Sequence, residues 1–274
     1  MIKYFSFFIG VAFLLLACAP KPYAKTNQKY KKQAKELASN LRKTPVFVSL
    51  SDSMKAPKTW VGTTNFGLRK PNAVIIHHTA QNSCEQTLAT FTKKSTQVSA
   101  HYVICEDGTL YHMLNDYMRA WHAGSGKWGG QTDINSSSIG IEIDNDGTEP
   151  FTEAQLNSLI GLLASLKKTH NIPTANFIAH GDIAPGRKVD PNVLFPWKRL
   201  AEAGYGYWYD DTTSIELLPA DFNPLYALRI IGYDLSNISN TIRAFRRHFL
   251  AAEAEGELTE AEKKVLFVLV KKYL

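Results

Sequence analysis

Cysteine is scarce in this chain: its 274 residues contain three, at positions 18, 84 and 105. Cys18 ends an apolar N-terminal segment, which leaves Cys84 and Cys105 for an intramolecular pair. In an oxidising compartment such a pair persists as a disulfide. Two free cysteines behave equally well as small buried apolar side chains. The sequence leaves both interpretations open.

Long hydrophobic runs are also missing, apart from Phe5–Leu16, which is too short for a comfortable membrane span. Lys3 precedes this run and Leu-Leu-Ala-Cys18 ends it, so residues 1–17 are expected to be a signal peptide. The ending resembles the bacterial lipobox, in which the cysteine becomes the acylated first residue. The residue after the cysteine is Ala19 rather than Asp, and resemblance to lipoprotein sorting rules then implies the outer membrane of a Gram-negative host. The alternative is an ordinary signal peptide with an incidental cysteine.

Net positive charge is missing outside the N-terminal region. Residues 19–43 carry a net +7, whereas the whole chain carries +6 and includes Lys3 as well. The remainder is therefore slightly acidic, which argues against a nucleic-acid partner. We interpret residues 18–44 as a Lys-rich tether with a reach of roughly 25–30 Å, shortened if Gln28–Leu41 is helical. Its lysines either keep a linker solvated or also contact anionic lipid head groups.

Five segments predict β-strands. The apolar run Ala73–Ile76 is typical of a buried strand, and Asn176–Ala179 is a second short strand. Asp107-Gly108 lies between two β-rich runs and predicts a hairpin. Ile139–Ile143 alternates, which puts Glu142 on the face opposite its isoleucine neighbours.

Capping motifs predict the helices between these strands. Ser83 opens a helix to about Lys94, and Thr152 with Gln155 opens an amphipathic helix over Glu153–Thr169. Alternating strands and helices indicate an α/β fold, with a central mixed β-sheet flanked by helices, over residues 45–212.

The C-terminal region, residues 220–274, has a purely helical pattern and contains no further predicted strand. Three helices are expected to form a small second domain, over Pro224–Ile231, Ile238–Leu250 and Thr259–Tyr273.

Two histidines stand where strands end, a position that presents side chains to a cleft. His77 follows the first predicted strand, His180 follows Asn176–Ala179, and Asp190 lies ten residues beyond His180. Two histidines and one carboxylate, with the fourth position left open, form a known catalytic zinc arrangement. The spacing alone also allows both histidines to be satisfied core residues.

Five motifs occur in a fixed order over about residues 60–210. Together they resemble the N-acetylmuramoyl-L-alanine amidase type 2 family, close to its outer-membrane lipoprotein branch, and more distantly the peptidoglycan recognition proteins. The motifs are VIIHHTA at 74–80, SAHY at 99–102, AWHAG at 120–124, SIGIE at 138–142 and AHGDIAPGRKVDP at 179–191.

The resemblance implies a role for each matching residue. It implies that a zinc ion (Zn²⁺) is bound by His77, His180 and Asp190. His78 adjoins the first ligand, and strand alternation puts the two on opposite faces.

The resemblance also implies catalytic roles for Glu142, as the proton-transferring carboxylate, and Lys188, as the residue that stabilises the oxyanion. The residues alone also allow Glu142 to be an exposed strand carboxylate and Lys188 to be a surface lysine. His122 is expected to bind or orient substrate, and Trp121 to stack on a sugar ring, although single aromatic residues often belong to the core.

These roles predict hydrolysis of the amide between N-acetylmuramic acid, intact or anhydro, and L-Ala, by a monomer that serves wall turnover. The alternative is a non-catalytic peptidoglycan-binding protein. A glycan-cleaving enzyme would need paired carboxylates, and no such pair suggests itself. The C-terminal helices resemble a peptidoglycan-binding-like module, and a purely stabilising cap is the other interpretation.

Overall fold

The computed structural model describes residues 22–43 and 61–274. The predicted signal peptide, the predicted acylation site Cys18 and the start of the tether lie outside these residues. The chain divides into two compact units, 1–66 and 67–274. Throughout the described part, every helix is too short or too polar to cross a membrane.

The described part of the first unit is dominated by one helix, α1 (Ala24–Leu41), which has no buried side chain. The expectation of a helix over 28–41 is confirmed, and the helix begins four residues earlier. Its lysines lie on one side, opposite the stripe formed by Tyr30, Ala34, Leu37 and Leu41, which recur at helical spacing.

The second unit contains a five-stranded sheet, which confirms the predicted α/β architecture. Its strands are β1 (Ala73–His78), β2 (Tyr102–Ile104), β3 (Leu110–His112), β4 (Ser138–Ile143) and β5 (Phe177–Ala179). Their order is β3-β2-β4-β1-β5. Only the predicted hairpin partners β2 and β3 pair antiparallel, whereas β1 pairs parallel with β4 and β5, and β2 with β4. The sheet is therefore mixed.

Helices follow the predicted capping signals closely. They are α2 (Cys84–Thr92), α3 (Ile134–Ser137), α4 (Glu153–His170), α5 (His180–Ile183), α6 (Trp197–Glu202), α7 (Pro224–Ile231), α8 (Ile238–Leu250) and α9 (Glu260–Val270). Thr152 and Gln155 form the expected reciprocal capping box of α4. Ser83 caps α2, but this helix ends two residues before Lys94 and a 3-10 turn follows over Lys94–Thr96.

The two faces of the sheet carry different side chains. On one face, Ile139, Ile141 and Ile143 pack in a large apolar core with the leucines of α4. The register places Glu142 beside His77 on the opposite face. That face carries a smaller apolar cluster, which includes Ile75, and therefore leaves room for polar side chains.

Cys84 and Cys105 form a disulfide. It links the first residue of α2 to the residue that follows β2. The structure thus settles the alternative that the sequence left open.

The three C-terminal helices confirm the predicted helical pattern and surround their own apolar core. They also contact the sheet region, because the Tyr233 hydroxyl donates to Oδ1 of Asp182 at 2.8 Å and His248 Nδ1 lies 2.6 Å from Oδ2. The His248 ring stacks on Trp197. Residues 67–274 consequently form one compact unit.

Candidate metal and catalytic site

Three side chains predicted as ligands converge at the ends of β1 and β5. Nδ1 of His77 lies 2.9 Å from Nδ1 of His180 and 3.0 Å from Oδ2 of Asp190. Nδ1 of His180 lies 2.9 Å from the same carboxylate oxygen. All three residues are buried. Among the described residues they form the one group of histidine, cysteine and carboxylate atoms close enough to hold a metal.

The proton on His180 is fixed by its outer partner. Nε2 of His180 lies 3.0 Å from the carbonyl oxygen of Ala123, which can only accept. Nε2 therefore donates, and the tautomer protonated at Nε2 presents the lone pair of Nδ1 to the group. A carbonyl behind a histidine in this manner is a common arrangement around metal ligands.

A series of hydrogen bonds through His122 and Ser138 determines which ring nitrogen of His77 carries the proton. The Ser138 hydroxyl donates to the Ile134 carbonyl at 2.6 Å, so its oxygen accepts from Nε2 of His122 at 3.3 Å. Nδ1 of His122 then accepts from Nε2 of His77 at 3.1 Å. Nδ1 of His77 is left with a lone pair that faces Asp190.

The three facing atoms are thus all acceptors, and this arrangement fits a cation. Burial lowers the pKa of His77 to about 4, which favours a neutral ring with a free lone pair. A tetrahedral zinc ion needs ligand atoms about 3.4 Å apart, within about 0.5 Å of the distances here.

His78 lies on the other face of β1 and does not join this group. Its Nδ1 accepts from the backbone N–H of Asn192 at 3.1 Å. The alternation expected of a strand therefore separates the two adjacent histidines as predicted.

Glu142 lies in the same cleft. Its Oε1 is 4.0 Å from Nδ1 of His77, and the residue is only 9% exposed, so the interpretation as an exposed strand carboxylate is wrong. Burial, then the charge of Asp190, raises the pKa of Glu142 well above its usual value, and Lys188 opposes this rise. A carboxyl group with a raised pKa suits proton transfer near neutral pH.

A cavity of about 410 Å³ opens over these groups. Lys188 lines it and is half-buried, and Trp121 stands at its wall with 51% of its surface exposed. Trp121 is therefore accessible to a ligand rather than part of the core. His122 also borders the cavity, but it is 8% exposed and both ring nitrogens are engaged.

The sequence carries little signal for two residues beside this site, Gly140 and Asn135, whose Oδ1 accepts from the backbone N–H groups of His122 and Ala123. Asn135 had no signal at all, because an isolated asparagine in a one-turn helix has no pattern. Gly140 stands inside the motif at 138–142, and a Cβ there would lie 2.4 Å from Cγ of His122. The glycine therefore provides the space in which the His122 ring lies.

Comparison with known proteins places this geometry in context. A family model described as N-acetylmuramoyl-L-alanine amidase matches residues 67–193. The N-acetylmuramoyl-L-alanine amidase AmiD of Escherichia coli is 33% identical over 231 residues, which span 73% of this chain and 82% of AmiD. The 1,6-anhydro-N-acetylmuramyl-L-alanine amidase AmpD of Haemophilus influenzae is 38% identical over 104 residues, 38% of this chain and 56% of AmpD.

Solved structures give a similar result. E. coli AmiD in complex with the substrate anhydro-N-acetylmuramic acid-L-Ala-D-gamma-Glu-L-Lys has a TM-score of 0.65 and 29% identity, covering 82% of this chain and 95% of that one. AmpDh3 of Pseudomonas aeruginosa in complex with anhydromuramic pentapeptide has a TM-score of 0.67 and 28% identity, covering 81% and 99%.

Proposed function

Because this chain belongs to the N-acetylmuramoyl-L-alanine amidase family, we propose that it is a zinc enzyme that cuts the amide between N-acetylmuramic acid and L-Ala. The observation that carries the proposal is the group of three buried acceptor atoms on His77, His180 and Asp190, beside the buried carboxyl group of Glu142. The substrate is peptidoglycan or its muropeptides, with intact or anhydro sugar. Relatives solved with anhydromuramyl peptides support the anhydro form.

Zinc, when bound, would supply Lewis acidity, which makes water a nucleophile near neutral pH and polarises a carbonyl. Glu142 accepts a proton from the attacking water and delivers it to the leaving amine of L-Ala. Its raised pKa favours the delivery step. Lys188 places a positive charge at the same cavity, where it stabilises the developing oxyanion.

Trp121 offers an exposed aromatic face at the cavity wall on which a sugar ring can stack. His122 acts from behind His77, and we assign it an orienting rather than a direct substrate contact because both its nitrogens are occupied.

The rival function is a non-catalytic peptidoglycan-binding protein. A binder has no need of a complete ligand set or of a buried carboxyl group with a raised pKa beside it, and this chain has both. The two functions differ in their response to chelation: cleavage is lost with EDTA and returns with zinc, whereas simple wall binding does not need metal.

Glu142→Gln tests the catalytic assignment. The substitution keeps the size of the side chain but removes the group that transfers the proton. We expect zinc content and wall binding to be retained, with turnover reduced by about 10²–10⁴. Turnover on purified wall and metal content of the same preparation are the measurements, and near-normal turnover would remove Glu142 from this role.

We further propose that the mature chain is anchored at the periplasmic face of the outer membrane by a lipid on Cys18. The support is the apolar segment that ends in Leu-Leu-Ala-Cys18 and the Lys-rich α1 that follows. Cells fed labelled palmitate should yield labelled protein with Cys18 and unlabelled protein with Cys18→Ala. Equal labelling of both would refute the anchor.

A further inference from the structure

Residues 122–123 contact both histidines that face the proposed metal position. The ring of His122 accepts from Nε2 of His77, and the carbonyl of Ala123 accepts from Nε2 of His180. The orientation of both imidazoles therefore depends on where this segment lies.

Asn135 fixes the segment. Its Oδ1 accepts from the backbone N–H groups of His122, at 3.0 Å, and of Ala123, at 2.9 Å. The residue is 7% exposed, so these bonds form away from water and their loss would leave buried donors without a partner. One amide oxygen that holds two successive N–H groups fixes the directions in which the His122 side chain and the Ala123 carbonyl project.

Asn135 lies on the one-turn helix α3, and this helix also accepts the last of the hydrogen bonds that run from His77 through His122 and Ser138. Asn135 is the second residue of α3, and the residue before it, Ile134, provides the carbonyl that accepts from Ser138. The His122 ring between them has little freedom, because it lies directly over Gly140. Helix α3 thus constrains the ring and its protonated nitrogen at once.

We propose that Asn135 is a positioning residue that aims the metal-facing nitrogens of both His77 and His180 by holding residues 122–123. It touches neither the metal position nor the cavity, and it acts only through this segment. The proposal rests on the proposed zinc site.

The consequence is a loss of metal affinity when the two bonds are removed, beyond any loss of stability. Asn135→Ala removes the acceptor, and we expect zinc affinity to fall about 10- to 100-fold, as is typical when outer partners of ligands are lost. Asn135→Asp keeps an acceptor oxygen in place, and we expect zinc affinity within about threefold of the unaltered chain.

Gln155→Ala is the matched control. Gln155 is also a buried amide with two hydrogen bonds, to the backbone of Thr152 and Asp144, and it lies on α4, on the other side of the sheet. Its loss should lower the melting temperature of the metal-free protein as much as Asn135→Ala does, but leave zinc affinity unchanged.

Zinc affinity is measured on residues 19–274 by competition with a chromogenic chelator, and the melting temperature on the metal-free protein. Nitrogen-15 spectra of the histidine side chains report which ring nitrogen carries the proton. We expect Asn135→Ala, and not Gln155→Ala, to alter the signals of His77 and His180. Equal zinc affinities for the two alanine variants would overturn the role of Asn135.

If Asn135→Ala does not fold, Asn135→Asp with unaltered affinity and Ser138→Ala with reduced affinity would support the same geometry, and unaltered affinity in Ser138→Ala would contradict it. If the unaltered chain binds no zinc, the proposed function fails, and the nitrogen-15 spectra of the metal-free proteins still test whether Asn135 sets the two protonation states.

Discussion

Burial keeps several histidines of this chain neutral. His101 lies beside His122 and is fully buried, and burial lowers its pKa to about 4. Its Nδ1 accepts from the backbone N–H of Gly140, so the neutral ring is part of the support beneath the site. Protonation of such a ring must oppose folding.

The lowered pKa of His101 makes the folded protein less stable as the pH falls. The pKa of His101 is about 4 when folded and about 6.5 when unfolded, so its stabilising contribution is complete above pH 6.5 and disappears as pH falls toward 4. Between pH 8 and pH 5 the free energy of unfolding should fall by about 2 kcal/mol through this residue alone.

Denaturant unfolding at both pH values tests this, with His101→Gln as the non-titrating variant and His112→Gln as the control, since the His112 side chain is 53% exposed. The pH-dependent loss should shrink in the first variant and persist in the second. An identical loss in all three proteins would show that His101 is not the group responsible.

At the scale of elements, the C-terminal helices support the segment that carries His180. Asp182, two residues beyond that histidine, is 1% exposed and accepts from the hydroxyl of Tyr233. Tyr233→Phe should lower the free energy of unfolding by about 1–3 kcal/mol, because it leaves a buried carboxylate oxygen short of one donor.

Tyr226→Phe is the control for that experiment. Tyr226 lies on α7 and is 69% exposed, so the loss of its hydroxyl should change stability by less than about 0.5 kcal/mol. Equal effects of the two substitutions in urea unfolding would mean that the contact with Asp182 contributes nothing. Wall binding by these helices stays a prediction.

Long elements with capping signals were predictable, and single-turn elements were not. Helices α4, α7 and α8 follow their sequence signals within a residue, because apolar periodicity and an N-cap specify both the packed face and the start. Helices α3 and α5 have four residues each, too few for a periodic pattern to appear.

In the site, the meeting of three side chains was predictable from the sequence, and the hydrogen bonds that orient them were not. The convergence of His77, His180 and Asp190 followed from strand ends and motif order, because the ends of parallel strands meet at one edge of a sheet. The hydrogen bonds that orient these residues could not be predicted. The Ala123 carbonyl, for example, is a backbone group, and its direction is set by packing that no local pattern encodes.

At the scale of the whole molecule, charge and chemistry occupy separate units. The net positive charge belongs to the tether region, residues 19–43, whereas the acceptor group and its cavity belong to the unit formed by residues 67–274. We therefore expect residues 19–274, without the lipid, to retain amidase activity and to lose only attachment to the membrane.

Mass spectrometry identifies the bond that zinc-loaded residues 19–274 cut in purified peptidoglycan and in a defined anhydromuramyl peptide. We expect free stem peptides with a new N-terminal L-Ala, together with glycan or anhydromuramic acid that has lost its peptide, and none of these products in EDTA. Peptides still joined to muramic acid after digestion, with or without broken glycan strands, would refute the amidase activity.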